Sequence, residues 1–238
     1  MHPYLNVPTP HVLAHQGLAL GIEANSIPAF SAALAAGADF IETDAHGTRD
    51  GIAVLFHDDT LAGKRISEYN FAELPSYIPT LKEALNRFPE ARFNIDIKNA
   101  QASVPVAQVL NELGAHNRVL LTSFSARRRK DTMALAPGTA SSPAVTEFTP
   151  ALLAALCGLQ PLVTLMLKRF DAVQIPARGA GINTVTPRLV QMFHKAGVLV
   201  HVWTINDADQ MRQLISAGVD GIVTDRTDLA VSILKHQR

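Results

Sequence analysis

Short apolar runs alternate with amphipathic, helix-like segments along most of the chain. Three copies of one local pattern are AGADFIETD (36–44), AGVLVHVWT (196–204) and AGVDGIVTD (217–225). In each copy Ala-Gly ends a helix-like segment, and an apolar run with polar residues follows at once. Glycine just past a helix, followed directly by a strand, is typical of the junction in a βα unit. The recurrence therefore predicts repeated βα architecture.

Nine segments have the composition of strands, one more than an eight-stranded barrel needs. They are 11–15, 39–44, 52–58, 92–98, 118–124, 139–145, 172–176, 198–204 and 220–225, of which 139–145 is the weakest. Only AHGTRDG separates the second from the third, which is too short for the crossover between parallel strands. Its Asp50-Gly51 pair is a hairpin turn signal. We therefore predict an α/β fold, a (β/α)8 TIM barrel with segment 52–58 as an extra antiparallel hairpin strand near the barrel mouth.

Composition narrows the class of protein. A length of 238 residues suits one barrel, so we expect a single domain over residues 1–238. Hydrophobic residues make up 47% and charged residues 18%, as in a globular protein with a large core. Lys+Arg and Asp+Glu are both 21, which does not favour nucleic acid as a partner. One cysteine, Cys157, excludes an internal disulfide framework, and no secretory signal is visible, so we expect a cytoplasmic protein.

The longest apolar run, 151–167, has almost the length of a membrane span. Gly158, Gln160 and Pro161 interrupt it. Because proline removes a helical hydrogen bond, the run predicts a kinked or broken core helix, and we expect no stable membrane insertion.

Carboxylates occur inside two of the predicted strands. In FIETDAH (40–46), Glu42 and Asp44 lie two residues apart and so share one face of a strand, where they would repel each other. Asp96 has the same phase within segment 92–98. The carboxyl ends of barrel strands meet at one mouth, so the three acids would form an all-oxygen pocket. Such a pocket suits a hard divalent cation, Mg²⁺ or Ca²⁺.

Each candidate residue also has a simpler interpretation. A Glu-x-Asp pair can be a solvated strand face, His15 a core histidine, and His57 part of a turn cap. Lys98 could merely neutralise a carboxylate, and Trp203 could be a core residue. Their joint position at strand ends favours a site. We interpret the other histidines outside this region as structural or surface residues: His11, His116, His194, His201 and His236.

A series of motifs follows in a fixed order over almost the entire chain: AHQG (14–17), GADFIETD (37–44), FHDDTL (56–61), IPTLKEAL (78–85), NIDIK (94–98), VWTIN (202–206) and GVDGIVTD (218–225). In content and order this series resembles the glycerophosphodiester phosphodiesterase family. The resemblance implies a (β/α)8 barrel with a divalent cation, Mg²⁺ or Ca²⁺ with Mn²⁺ possible. It also implies an enzyme of lipid and glycerol metabolism that hydrolyses glycerophosphodiesters to glycerol 3-phosphate and an alcohol.

Catalytic roles follow from the resemblance by position. His15 and His57 correspond to the two acid–base histidines of the family, and we favour His15 as the base and His57 as the acid of the first step. Glu42, Asp44 and Asp96 correspond to metal ligands. The nucleophile in such proteins is thought to be the glycerol hydroxyl of the substrate itself, which gives a cyclic phosphate that water then opens.

Further residues correspond to positions that bind or support the substrate. Lys98 would lie near the phosphate and Trp203 against the glycerol, while Glu23 and Asn25 would support the site. Gln16 occupies the phosphate-binding position next to the first histidine.

Two departures from the family pattern change expectations. Gln16 replaces an arginine, which removes a fixed positive charge near the phosphate. Asp96 replaces a glutamate and is shorter by one methylene. Gln16 therefore leaves open a weakly active, ligand-binding barrel as one alternative.

The second alternative is a phospholipase D that acts on lysophospholipids or sphingomyelin-type lipids, which needs an apolar entrance. Segment 62–80 is short and polar, and therefore favours a small soluble glycerophosphodiester. We expect such a small molecule as the partner of a monomer or homodimer.

Overall fold

Eight parallel strands surround a common axis, and the helices lie outside them. The structure is a computed structural model, which describes residues 2–179 and 181–235. The strands are β1 (His11–Ala14), β2 (Phe40–Gly47), β3 (Ala53–Leu55), β4 (Thr60–Leu61), β5 (Lys64–Arg65), β6 (Arg92–Ile97), β7 (Val119–Thr122), β8 (Ala140–Ser141), β9 (Ala172–Pro176), β10 (Arg178–Gly179), β11 (Ile182–Asn183), β12 (Leu199–Trp203) and β13 (Gly221–Thr224). The helices are α1 (Ile27–Ala36), α2 (Leu81–Arg87), α3 (Ser103–Leu113), α4 (Ala126–Leu135), α5 (Val145–Leu156), α6 (Gln160–Leu167), α7 (Pro187–Lys195), α8 (Ala208–Ser216) and α9 (Thr227–Lys235). His236 lies outside the described residues.

The order of neighbouring strands is β8-β7-β6-β2-β1-β13-β12-β9, all parallel. The two end strands also approach each other: Asp171 N–H donates to Ser141 O at 2.9 Å, and Ser141 N–H donates to Asp171 Oδ2 at 2.8 Å. The sheet is therefore a nearly closed barrel, and the predicted (β/α)8 fold is confirmed. β8 is short because Pro143 follows it and α5 begins at Val145.

The extra strand lies where the sequence predicts it. β3 runs antiparallel to the end of β2, with Ala45 opposite Leu55 and Gly47 opposite Ala53. Two further two-stranded hairpins, β4–β5 and β10–β11, lie outside the barrel sheet. The antiparallel hairpin near the barrel mouth is thus confirmed.

Glycine ends the helices that precede the three repeated junctions. Gly37, Gly197 and Gly218 have φ of 100°, 86° and 93°, a left-handed conformation that glycine adopts without a steric penalty. Each glycine lets the chain turn from a helix into the next strand within a few residues, so the repeated Ala-Gly pattern is the structural junction it predicts.

The apolar run 151–167 is divided between two helices. α5 ends at Leu156 and α6 begins at Gln160, with Gly158 at a φ of 76° between them. The predicted break is confirmed. Within the described residues, no helix is both long enough and apolar enough to cross a membrane.

Side chains from the N-terminal turn and the first half of the strands close the amino-terminal end of the barrel. Tyr4 and Leu5 pack with Leu13, Phe40 and Leu120, all at most 1% exposed. Burial of this size provides much of the favourable free energy of folding. The acidic residues of the barrel interior lie toward the opposite, carboxyl end, whereas His11 and His201 are buried beside Phe40.

Gly47, the last residue of β2, is packed against the main chain at the start of the segment that leads into α3. A methyl group on Gly47 would overlap the carbonyl group of Gln101 and lie 2.5 Å from the backbone N of Ala102. We expect Gly47→Ala to lower the free energy of unfolding by about 2 kcal/mol or more, because backbone atoms cannot move aside as a side chain can. In thermal unfolding this would lower Tm by about 4–8 °C.

Gly179→Ala is the matched control. A methyl group there would meet its nearest neighbours at 3.7 and 3.8 Å, which is ordinary contact. Its Tm should stay within about 2 °C of the wild-type value. Equal Tm values for the two variants would contradict the packing argument.

Candidate active site

One cavity of about 570 Å³ opens at the carboxyl ends of the barrel strands. Its volume is in the range of pockets that hold small molecules. Seven residues that the sequence predicts for the site line this cavity: His15, Glu42, Asp44, His57, Asp96, Lys98 and Trp203. The three other predicted residues, Gln16, Glu23 and Asn25, do not line it.

The pairing of β2 with β6 brings the carboxylates together. In this parallel register Asp44 lies opposite Asp96, and Glu42 lies opposite Asn94. Alternate residues of a strand share a face, so all four side chains project to the same side of the sheet. Glu42, Asp44 and Asp96 are 7%, 2% and 6% exposed. Three acids this deeply buried are costly unless positive charge compensates them.

Lys98 bridges two of the acids. Its Nζ lies 2.9 Å from Asp44 Oδ1 and 3.1 Å from Asp96 Oδ2. Burial alone would lower the pKa of Lys98, but the two carboxylates outweigh it and raise the pKa above its ordinary value. Lys98 is therefore positively charged at neutral pH and compensates part of the acidic cluster.

Negative charge remains in excess. Burial, together with the nearby Asp44 and Asp96, raises the pKa of Glu42 well above its ordinary value. Burial also raises the pKa of Asp96 to about 6, although Lys98 opposes the shift. Oδ1 of Asp96 and Oδ1 of Asn94 are buried and have no hydrogen-bond partner among the residues that the structure describes. One lysine therefore does not balance the cluster.

The cluster fits a divalent cation by charge and by ligand chemistry. Carboxylate and amide oxygens are the ligands that hard cations take, and a further positive charge would relieve the repulsion between the acids. In the described part of the chain, no three histidine, cysteine, aspartate or glutamate side chains form a group that could hold a metal ion as they stand. The ammonium of Lys98 lies between Asp44 and Asp96 in this arrangement. The assignment of Glu42, Asp44 and Asp96 as metal ligands stays a prediction.

Asn25 forms hydrogen bonds with both the side chain and the main chain of Asp44. Its Nδ2 donates to Asp44 Oδ2 at 3.0 Å, while its Oδ1 accepts from Asp44 N–H at 3.2 Å and from Thr43 Oγ1 at 2.6 Å. Asn25 is 2% exposed and has a φ of 53°, which asparagine adopts more readily than most residues. The bond from Nδ2 orients the Asp44 carboxylate, and the two bonds to Oδ1 hold the Asn25 amide in place. The supporting role of Asn25 in the site stays a prediction.

His15 forms a pair with a distant aspartate. Its Nδ1 lies 2.6 Å from Asp225 Oδ1, and because a carboxylate can only accept, Nδ1 carries the proton. Asp225 is itself held by Asn206, whose Nδ2 donates to Asp225 Oδ2 at 2.6 Å and whose Oδ1 accepts from Asp225 N–H at 2.9 Å. Nε2 of His15 lies 3.9 Å from Glu42 Oε2 and accepts from the side-chain Nε2 of Gln16 at 3.5 Å.

His57 forms a second pair of the same kind with its sequence neighbour. Its Nδ1 lies 2.7 Å from Asp58 Oδ1. The His57 side chain is 53% exposed, against 26% for His15. The cavity thus has one imidazole close to the buried acids and one on its solvent side, each oriented by an aspartate.

Gln16 and Glu23 lie beside the cavity rather than in it. The backbone N–H of Gln16 donates to Glu42 Oε2 at 3.1 Å, and its backbone O accepts from Asn25 N–H at 2.9 Å. Gln16 therefore positions an acid through its main chain, at a φ of 56°. Glu23 is exposed, and its backbone O accepts from Ser26 Oγ at 2.5 Å, next to the start of α1.

Sequence reasoning missed the partners of His15 and one whole side of the cavity. Asp225 ends a predicted strand, and Asn206 lies in the VWTIN motif, but nothing local shows that they join each other or His15. The missed side is apolar and comes from α5, which contributes Phe148, Leu152 and Leu153. Its sequence has the same composition as a core helix, so the only available signal was the number of leucines in 152–165.

Comparison with known proteins places these features in a family. The profile of the glycerophosphoryl diester phosphodiesterase family matches residues 15–229. A Mycobacterium tuberculosis protein named "Probable glycerophosphodiester phosphodiesterase 2" is 40% identical over 236 residues, which cover 93% of this chain and 89% of that protein.

Solved structures agree in fold. A glycerophosphodiester phosphodiesterase from Thermotoga maritima superposes with a TM-score of 0.78 at 23% identity, covering 96% of this chain and all of the other. An Oleispira antarctica phosphodiesterase, solved with the product sn-glycerol-3-phosphate, gives a TM-score of 0.77 at 21% identity, with 95% and 97% of the two chains covered. With the ordered motifs, the barrel and the family profile in agreement, the chain belongs to the glycerophosphoryl diester phosphodiesterase family.

Proposed function

We propose that this protein is a metal-dependent glycerophosphodiester phosphodiesterase that works by two-histidine acid–base catalysis. The observation that carries the proposal is the convergence, in one cavity, of two His–Asp pairs and a buried acidic cluster bridged by Lys98. Membership of the family and the name of the M. tuberculosis relative support the substrate class. The single cysteine fits a cytoplasmic enzyme.

The two histidines divide the proton transfers. Nε2 of His15 takes the proton from the 2-hydroxyl of the substrate glycerol, whose oxygen forms a bond to phosphorus. The bond from phosphorus to the leaving alcohol breaks, and that oxygen receives a proton from His57. Water then opens the cyclic phosphate with the two roles reversed, so the net reaction consumes one water and gives glycerol 3-phosphate and an alcohol. Asp225 and Asp58 keep each Nδ1 protonated, which leaves Nε2 as the reactive atom.

Charge on the phosphoryl oxygens sets much of the barrier in this reaction. The ammonium of Lys98 is held at the acidic cluster, where it can pair with the phosphate. Glu42, Asp44 and Asp96 would hold the cation, which supplies Lewis-acid stabilisation of the phosphoryl oxygens when bound. Trp203, with its ring centroid 6.0 Å from that of Phe124, provides an apolar surface for the glycerol carbons.

Removal of either histidine should abolish turnover. We expect His15→Ala and His57→Ala each to lower kcat for glycerophosphocholine on the order of 10²–10⁴-fold, the usual contribution of general acid–base catalysis. A coupled assay of glycerol 3-phosphate measures this, and circular dichroism checks the fold.

His116→Ala is the control, because His116 lies outside the cavity and its ring hydrogen-bonds Asn111 on the protein surface. Its kcat should be unchanged. If either site variant retained more than a tenth of wild-type activity, the two-histidine scheme would be rejected.

Removal of the cation should silence the enzyme and also change its stability. After dialysis against a chelator we expect no turnover, with recovery on addition of Mg²⁺, Ca²⁺ or Mn²⁺. A cation at about 100 times its Kd should raise the free energy of unfolding by about 2.7 kcal/mol, and hence Tm by about 5–10 °C. Thermal unfolding without substrate measures this.

Glu42→Gln should lose the cation-dependent rise in Tm, because the amide keeps the shape but not the charge. Glu112→Gln, at an exposed glutamate paired with Lys82, should keep it. A Tm that no divalent cation raises in the wild type would refute metal binding.

The role of position 16 in phosphate binding can be tested by introducing the arginine that the family pattern has there. Gln16→Arg should lower KM for glycerophosphocholine several-fold, because a guanidinium beside His15 can pair with the phosphate. Gln16→Met controls for size without charge and should not lower KM. An equal KM in all three proteins would show that position 16 does not bind phosphate. A wild type that binds the diester without cleaving it would instead favour a ligand-binding barrel.

A further inference from the structure

Four leucines are exposed along a hairpin of two helices. α5 and α6 pack against each other and are joined by residues 157–159. Leu156, Leu159, Leu162 and Leu165 of this hairpin are 38%, 46%, 42% and 58% exposed, and the lining of the active-site cavity includes none of them. Single exposed leucines are common, but four at successive intervals of three residues form an apolar surface of the kind that marks an interaction site. We call these four side chains the leucine face.

Positive side chains lie at both ends of the leucine face. Lys168 follows Leu165 by three residues at the end of α6, a spacing that makes the two side chains neighbours. At the other end, a methyl group on Gly158 would lie 3.0 Å from Arg188 Nη2, so the guanidinium of Arg188 lies at the turn between the helices. Lys168 and Arg188 are exposed and make no ion pair with a residue that the structure describes. Both charges are therefore available to a partner.

The part of the chain that carries the leucine face is basic as a whole. Residues 114–206 contain 10 Lys+Arg and 3 Asp+Glu, whereas the rest of the chain contains 11 and 18. Of the three acids, Glu147 is already paired with Arg129 and Arg169. The net charge of zero thus divides into a basic part and an acidic part. Such an asymmetry indicates that the basic part meets an anionic partner.

The same charges argue against a second copy of this chain on the leucine face. A two-fold dimer would place the face against itself, since such an interface uses the same surface twice. Lys168 and Arg188 of one copy would then approach the same cations of the other, and like charges across an interface are unfavourable. An anionic lipid surface offers both things that the leucine face lacks, which are apolar cover for the leucines and phosphates for the cations.

We propose that the leucine face docks this protein onto an anionic lipid surface. The leucines enter the boundary between headgroups and acyl chains, while the long side chains of the neighbouring lysines and arginines reach the phosphates. The contact is peripheral: α5 and α6 have 12 and 8 residues, against the roughly 20 that a membrane-spanning helix needs. The inference does not rest on the proposed function, because lipid binding requires no turnover.

Binding of the full chain to vesicles tests the proposal. We expect sedimentation with vesicles of phosphatidylcholine and phosphatidylglycerol at a lipid concentration at least about tenfold lower than with phosphatidylcholine alone, because each cation near an anionic surface adds to the affinity. Raising the salt concentration from about 0.1 M to about 1 M shortens the Debye length from about 10 Å to about 3 Å and should weaken this binding.

Two leucines of similar exposure give matched variants. Leu162→Glu puts a charge in the leucine face and should raise the Kd for the anionic vesicles about tenfold or more. Leu135→Glu changes a leucine at the end of α4 that is 47% exposed and lies outside the face, and it should leave this Kd unchanged. Leu162→Met should bind like the wild type, because methionine conserves size and apolar character. Thermal unfolding of each variant checks the fold.

The single cysteine offers a probe within the leucine face. Cys157 is exposed and lies in the turn between Leu156 and Leu159. An environment-sensitive fluorophore attached to Cys157 should shift its emission to the blue on anionic vesicles and be quenched by brominated acyl chains. The same fluorophore attached through Glu112→Cys in a Cys157→Ser background should show neither change, because Glu112 is an exposed residue of α3.

Three results would overturn the proposal. One is the absence of binding to either kind of vesicle. Another is an equal Kd for the two glutamate variants, since binding would then depend on charge without the leucines. The third is a dimer in analytical ultracentrifugation that Leu162→Glu dissociates, which would assign the leucine face to a second copy of the chain. Vesicle binding that Leu162→Glu loses supports the proposal whether or not a diester is cleaved.

Discussion

Three carboxylates buried at the mouth of one barrel are the constraint on which the site depends. The parallel register of β2 and β6 sets Asp44 opposite Asp96 and leaves Glu42 one step deeper on the same face. Like charges at this depth repel, and neighbouring polar groups offset that repulsion. Lys98 forms ion pairs with Asp44 and Asp96. Asn25 donates a hydrogen bond to Asp44, and the backbone N–H of Gln16 donates one to Glu42. A structure selected only for stability would place apolar residues here. Under the proposed function, these acids would hold a cation that in turn faces the phosphate.

Each histidine has its Nδ1 paired with an aspartate, but the two aspartates come from different parts of the chain. Asp58 follows His57 directly, so that pair forms locally on an exposed loop. Asp225 reaches His15 across 210 residues because β1 and β13 are neighbours in the closing barrel, with Ala14 opposite Thr224. The first pair tolerates movement of the loop, whereas the second depends on correct closure of the whole barrel. The His15–Asp225 pair is therefore coupled to the integrity of the fold in a way that the His57–Asp58 pair is not.

The sequence was informative where structure is local. Glycine-ended helices, the Asp50-Gly51 turn and period-two alternation in FIETDAH each depend on a few consecutive residues, and the corresponding elements were predicted correctly. Strand ends then located the acids and histidines, because every parallel barrel gathers those ends at one mouth. The sequence could not show that Asn206 fixes Asp225 or that Lys98 chooses Asp44 and Asp96. Those contacts are set by strand order and by side-chain rotamers, which no local pattern encodes.

The apolar side of the cavity explains a feature that composition alone misreads. Segment 151–167 was interpreted as a kinked or broken core helix, and Ala155 and Val163 are indeed buried in the core. Leu153, Leu156 and Leu165 of the same segment are nevertheless exposed, which a core helix does not require. Periodicity cannot distinguish a helix face that packs on the barrel from a face that lines a cavity, since both faces are rich in leucine. Because β8 lies across the barrel from β1 and β13, α5 stands opposite His15 and leaves the cavity divided into a charged half and an apolar half.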